Sequence, residues 1–86
     1  MLTWEQKVEA GRLYYTRLWK WNPQTEEYDI RGLDDLTLEE ATRYFNKTRM
    51  DDRVDQVEIF QEYSEEDSEI IARKCKDFET WDRDEL

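Results

Sequence analysis

The chain has 86 residues, 23 acidic and 13 basic side chains and a net charge of −10, with no histidine, two glycines and one cysteine. Without histidine there is no His-based acid, base, metal ligand or nucleophilic dyad, and two isolated glycines exclude phosphate-cradling loops. A lone Cys75 excludes an intramolecular disulfide and a thiolate zinc site.

This length implies one domain with a small core, since such a chain buries only about two thirds of the surface its unfolded form exposes. Twelve aromatic residues supply large side chains for that core and argue for a folded protein despite the charge. No apolar run reaches the length of a membrane span or a secretory signal, so the expectation is a soluble, cytoplasmic protein. The final Arg-Asp-Glu-Leu has the form of a retention address, but with no entry signal it reads as chance in an acidic tail.

In chain order, Thr3 and Gln6 have capping-box spacing, which predicts a short helix over Trp4–Ala10 ended by Gly11. A rival reading continues one helix into Trp19 and Trp21. Gly11 and the clustered Tyr and Trp count against it.

Residues 12–31 read instead as a β-hairpin. An aromatic first strand is followed by the turn cluster Asn22-Pro23-Gln24-Thr25 and a return strand over 26–31. Leu13, Tyr15, Arg17, Trp19 and Trp21 share one face, and Tyr14, Thr16, Leu18 and Lys20 the other. The first, more aromatic face is expected to meet the core. One or two of Tyr14, Leu18, Trp21 and Tyr28 should then remain exposed, because one helix cannot cover both faces.

Thr37 with Glu40 forms a second capping box, and Leu36 with Ala41 suits a hydrophobic staple. Leu38, Ala41, Tyr44 and Phe45 form the apolar stripe of a helix over Leu38–Thr48. Residues 54–63 alternate as a strand, Val57, Ile59, Gln61 and Tyr63 against Gln56, Glu58, Phe60 and Glu62, with neither face fully polar, as suits a central strand. Residues 64–80 allow a helix capped by Ser64 or a second hairpin returning over 69–76. The hairpin is preferred because it completes a sheet of about four strands. The expected fold is α+β, two hairpins forming a small antiparallel sheet with one main helix, and an acidic tail that frays from residue 77.

Residues 1–32 carry five acids and five bases, and residues 33–86 eighteen and eight, so the whole excess charge lies in the second part. The paired acids Asp34-Asp35, Asp51-Asp52 with Asp55, and Glu65-Glu66-Asp67 lack calcium-loop spacing and read as solvated loop acids. The Glu5-Gln6-Lys7 triplet has a nuclease-like spacing but sits at a helix start. Cys75, flanked by Lys74 and Lys76, reads as a small core residue rather than a reactive thiol.

An acidic field repels nucleic acid and anionic membranes and attracts basic protein surfaces. With no histidine, two isolated glycines and one cysteine, no enzyme, cofactor or metal is expected. The functional expectation is an inhibitor whose acids imitate the phosphate line and occupy the basic groove of a nucleic-acid-binding enzyme. In size and acidity the chain is similar to the anti-CRISPR-like proteins that phages and mobile elements direct against host defence nucleases. The expected contacts are Asp51, Asp52, Asp55, Glu58, Glu62, Glu65, Glu66, Asp67 and Glu69, with Tyr14, Trp21 and Tyr28 as aromatic anchors. Two alternatives stand beside it. One is a homodimeric structural or regulatory adaptor using the aromatic hairpin, and the other is a nucleotide or small-ligand binder using Trp19, Trp21 and Arg17.

Overall fold

The computed structural model describes residues 2–75 and 78–81. Both capping boxes form. Thr3 Oγ1 accepts from the Gln6 N–H while Gln6 Oε1 accepts from Thr3, starting α1 (Trp4–Ala10), which ends at Gly11 with φ 68°. That left-handed conformation suits a residue without Cβ. The continuous-helix reading of this region is thereby excluded.

The hairpin follows as β1 (Tyr14–Asn22) and β2 (Glu27–Arg31), and Asn22 Oδ1 accepts from the Gln24 N–H in the turn. The chain then runs back beside the start of β1. Tyr14 and Leu36 exchange both backbone hydrogen bonds, and the Thr16 N–H donates to the Leu33 carbonyl. Gly32 makes this approach possible, because a Cβ there would stand 2.0 Å from the Thr16 carbonyl oxygen.

Helix α2 (Leu38–Thr48) is capped by Thr37 and Glu40 as the spacing predicts. Its first turn carries Glu39 and Glu40 and its last turn Lys47, the arrangement the helix dipole favours. Strands β3 (Gln56–Glu62) and β4 (Ser68–Cys75) form the second hairpin, which decides the ambiguity over 64–80 against a helix. A further strand absent from the sequence reading, β5 (Phe78–Trp81), pairs with β4. Residues 76–77 and 82–86, including most of the expected frayed tail and its Arg-Asp-Glu-Leu, lie outside the described residues. Among the described residues the sheet is fully antiparallel in the order β2-β1-β3-β4-β5, with β3 central.

One face of the sheet carries the core. Phe45 and Ala41 of α2 lie over Leu18 of β1, Val57 and Ile59 of β3, and Ile71 and Ala72 of β4, with Tyr14, Leu36, Leu38 and Tyr44 at its margin. A register shift beside Ile59 leaves Ile71 as an extra residue on β4, so two successive side chains enter the core.

The face assignment of β1 is corrected by this arrangement. The core side is Tyr14, Thr16 and Leu18, and the aromatic set Tyr15, Arg17, Trp19 and Trp21 points the other way. The cause is register. Leu18 stands opposite Val57 and Thr16 opposite Ile59, and cross-strand partners share a face. The aliphatic stripe of β3 thus fixes which side of β1 meets the helix, and compact aliphatics rather than indoles fit beneath Ala41 and Phe45 at interior density.

Candidate interaction surface

With α2 on one side, no helix packs across the opposite face of the sheet among the described residues, and α1 only reaches its end, where Lys7 pairs with Glu62. Alternation along four strands brings Tyr15, Arg17, Trp19 and Trp21 of β1 onto that face, beside Tyr28 and Ile30 of β2, Gln56, Glu58 and Phe60 of β3, and Arg73 and Cys75 of β4. Three of these are about half exposed, Trp21 at 48%, Tyr28 at 50% and Ile30 at 52%.

The aromatic rings fall into two groups. At the β2 side, Tyr28 packs edge-on against both Trp21, at 5.1 Å between centroids, and Trp19, at 5.9 Å. Further along, Tyr15 and Phe60 stack in parallel at 4.7 Å, and the Arg17 guanidinium lies 4.7 Å from the Tyr15 ring centroid. The far end of the Tyr15 ring shares a 2.8 Å hydrogen bond between its hydroxyl and that of Ser68.

Between the groups lies Glu58, only 4% exposed. Its Oε1 accepts from Trp19 Nε1 at 3.0 Å, and its Oε2 accepts from Arg73 Nε and Nη2 at 3.2 and 2.9 Å. A carboxylate at this depth requires such partners. Glu58 is therefore a structural centre of the face, not the surface acid expected from sequence.

Trp19, Tyr28, Asp55, Gln56 and Cys75 line an open hollow of about 310 Å³ on this face. Asp55 is held at its rim by two backbone links. Its N–H donates to the Trp19 carbonyl, and its Oδ2 accepts from the Trp21 N–H at 2.6 Å. The Cys75 thiol donates to Gln56 Oε1, so Cys75 is half-buried at the end of β4 rather than part of the helix-side core.

The remaining acids do not form one line. Asp51 and Asp52 lie in the loop between α2 and β3. There Asp51 is gripped by Arg53, whose side chain and backbone N–H both donate to it, holding its carboxyl down to about 2. Glu62 pairs with Lys7, which also meets Asp35. Partial burial works against the charge of Lys7, but the two carboxylates outweigh it and raise its pKa. This ties α1 to the sheet and places the Glu5-Gln6-Lys7 triplet on a helix rather than on a strand.

Glu65, Glu66 and Asp67 form the exposed tip of the β3–β4 hairpin, and Glu69 is the second residue of β4 beside them. That tip is well fixed. The Ser64 hydroxyl accepts from the Glu66 and Asp67 N–H groups, and the Tyr63 and Ser64 N–H groups donate to the Asp67 carbonyl. The seven residues of β3 separate this tip from the Asp51, Asp52 and Asp55 end, a run of about 20 Å at strand rise.

Of the expected aromatic anchors, Trp21 and Tyr28 lie on the open face, whereas Tyr14 faces the helix and packs on the core. Trp19, named in sequence only for the ligand-binding alternative, also belongs to the open face, as do Phe60, Ile30 and Tyr15, which lie outside the expected contacts. The signal for them was present in the alternation of β1 and β3 once Val57 and Ile59 are taken as the inward side.

Among the described residues, no group of three or more His, Cys, Asp or Glu could hold a metal ion, and no helix is long and apolar enough to cross a membrane. Comparison with known proteins gives no matching family model, no matching curated protein and no matching solved structure.

Proposed function

We propose that this is a non-enzymatic binding protein that docks a basic-surfaced protein, of the kind that handles nucleic acid, through the helix-free face of its sheet. The observation that carries the reading is the aromatic face itself, with Trp21, Tyr28 and Ile30 half exposed on a rigid sheet. Exposed Trp and Tyr on a preorganised surface are the side chains that anchor protein interfaces. Acids stand at both ends of this face, Asp52 and Asp55 at one and the Glu65-Glu66-Asp67 tip at the other, and steer a cationic partner toward it.

Charge also chooses among the alternatives. A second copy of a chain with net charge −10 meets like charge, which disfavours self-association. A nucleic-acid platform needs cations for phosphates, and Arg17 and Arg73 on this face are already engaged by Asp34 and Glu58.

The test is capture of partners on the immobilised full chain from bacterial lysate treated with nuclease, washed at about 50 mM salt and then at several hundred mM, where screening is strong. The expected result is a nucleic-acid-binding protein retained at low salt and released at high salt. Its retention should fall more than tenfold when Glu65, Glu66 and Asp67 are together replaced by Lys. Recovery only of the chain itself, or of a partner indifferent to salt, contradicts the proposal.

A further inference from the structure

We propose that the free edge of β2 takes up an extended, basic segment of the partner as an added strand, which deepens the proposed function and rests on it for the protein that supplies the segment. All five residues of β2 are exposed, and among the described residues β1 is the only element packed against it. The direction of its backbone groups follows from β1. Tyr14 and Thr16 bond to the returning chain at Leu36 and Leu33, whereas the carbonyls of Leu13 and Trp19 accept from Glu62 and Asp55 on the β3 side. By alternation Leu18, Lys20 and Asn22 face β2, so their partners Arg31, Asp29 and Glu27 turn their N–H and C=O groups inward. Tyr28 and Ile30 turn theirs outward. The edge therefore offers two N–H donors and two carbonyls at the same residues whose side chains lie half exposed on the helix-free face.

An added strand pairs with such an edge through its main chain, and its alternate side chains set specificity. Sheet edges are commonly blunted by proline, a bulge or a covering segment. Here β2 contains no proline, its pairing with β1 runs without a register shift, and residues 33–36 continue alongside β1 rather than over the edge. What guards the edge is charge. Glu26, Glu27 and Asp29 stand against one base, Arg31, which lies near Tyr44 of α2, whose phenol is pushed up by burial and pulled down by the Arg31 charge. Lys20 is opposite Asp29, and its charge adds to the pull that Arg53 exerts on Asp51. Neither Glu27 nor Asp29 makes an ion pair among the described residues. These acids repel the edge of a second acidic chain and admit a basic strand. In the antiparallel register that the whole sheet uses, the segment sets apolar side chains opposite Tyr28 and Ile30 and basic ones opposite Glu27 and Asp29.

The probe is the peptide acetyl-Thr-Val-Lys-Val-Lys-Thr-amide, which has that pattern. It is titrated into the ¹⁵N-labelled full chain to about 10 mM, so that an affinity of about 1 mM gives about 90% occupancy. Saturable shifts are expected at the amides of β2, and exchange of the Tyr28 and Ile30 amides with solvent deuterium should slow about tenfold at that occupancy. Methylating both valine nitrogens removes the donors that face β2 and should weaken binding about tenfold or more, whereas methylating both lysine nitrogens, which point away, should weaken it less than about threefold. Replacing both lysines by glutamates should abolish saturation. Absence of saturation with the parent peptide, equal loss from the two methylation patterns, or equal binding of the glutamate peptide overturns the proposal, and none of these depends on how a variant folds. Slowed exchange at Tyr28 and Ile30 that rises with protein concentration, together with a dimer in sedimentation, also overturns it, because a second copy then takes the edge.

In the chain itself, Ile30→Pro removes an outward N–H and no bond of the β1–β2 ladder, the position at which an edge strand tolerates proline. It should lower partner retention about tenfold or more, and Ile30→Ala, which keeps the N–H, less than about threefold. The two proposals fail separately. A partner that Ile30→Pro still captures but Trp21→Ala loses leaves the docking face standing and removes the added strand. Peptide binding without any captured partner does the reverse.

Discussion

Glu58 is where the open face is most exposed to a decisive perturbation. Glu58→Ala removes the acceptor of the Trp19 indole N–H and of two Arg73 N–H groups. Hydrogen bonds to a charged group contribute about 1.5 to 3 kcal/mol each, and a stranded buried donor costs about 1 to 3 kcal/mol. The Arg73 side chain is 38% exposed and can turn to water, so the loss should fall at the lower edge of the 3 to 5 kcal/mol typical of breaking a buried pair, about 3 kcal/mol. For a chain of this size that corresponds to a fall in Tm of about 15 °C. Glu58→Gln retains an acceptor for Trp19 but puts an N–H donor where Oε2 accepts from Arg73, so it loses the charge and the Arg73 bonds and should cost about half as much or more. Urea unfolding followed by tryptophan fluorescence measures both. If Glu58→Ala stays within about 0.5 kcal/mol of the parent, the range of ordinary surface changes, Glu58 does not organise this face and the argument fails.

Three further outcomes are expected. Phe45→Ala empties the position at which α2 meets the sheet, where the ring is fully buried. It should destabilise by about 4 kcal/mol in the same assay, leaving a largely unfolded chain at 37 °C. Gly32→Ala drives a Cβ against the Thr16 carbonyl and should cost about 2 kcal/mol or more, as overpacking against fixed atoms does; thermal unfolding by circular dichroism reads it. The Asp51 carboxyl titrates near 2 rather than the ordinary 3.8 because Arg53 hydrogen-bonds it with side chain and backbone. A depressed folded pKa means that the contribution is complete above about pH 4 and is lost as pH falls from 4 towards 2. In an NMR titration of side-chain carboxyl carbons, Arg53→Ala should move the Asp51 midpoint upward toward its ordinary value.

Where local chemistry dictates structure, the sequence was readable. Thr3 with Gln6 and Thr37 with Glu40 fixed two helix starts, Gly11 fixed one end, and the Asn22 turn and the alternation over β3 gave the hairpin and the central strand. The side of β1 that meets the core was not legible from β1 alone, because aromatic bulk suggested the wrong face. The partner strand decides it, since Leu18 and Thr16 must lie over the same side as Val57 and Ile59. Strand β5 was hidden in an acidic tail whose pairing depends on β4 rather than on its own propensity.

The candidate surface was half legible for the same reason. Acidity marks Glu65, Glu66 and Asp67 as surface residues, and the structure places them on a fixed tip. Nothing in composition distinguishes them from Glu58, which a strand register buries beside Trp19 and Arg73. Trp21 and Tyr28 were readable as exposed aromatics, but their grouping with Trp19 and Asp55 arises only when the β1–β2 register sets Tyr28 opposite Trp21.

The central claim is that the helix-free face makes the contact, and the most direct measurement compares partner retention by two variants of the full chain. Trp21→Ala with Tyr28→Ala alters the open face, and Glu39→Ala with Arg43→Ala removes an exposed ion pair from the opposite side on α2. The account predicts retention at least tenfold lower for the first pair and unchanged for the second. Equal retention by both, or loss confined to the helix variant, would place the contact elsewhere and contradict it.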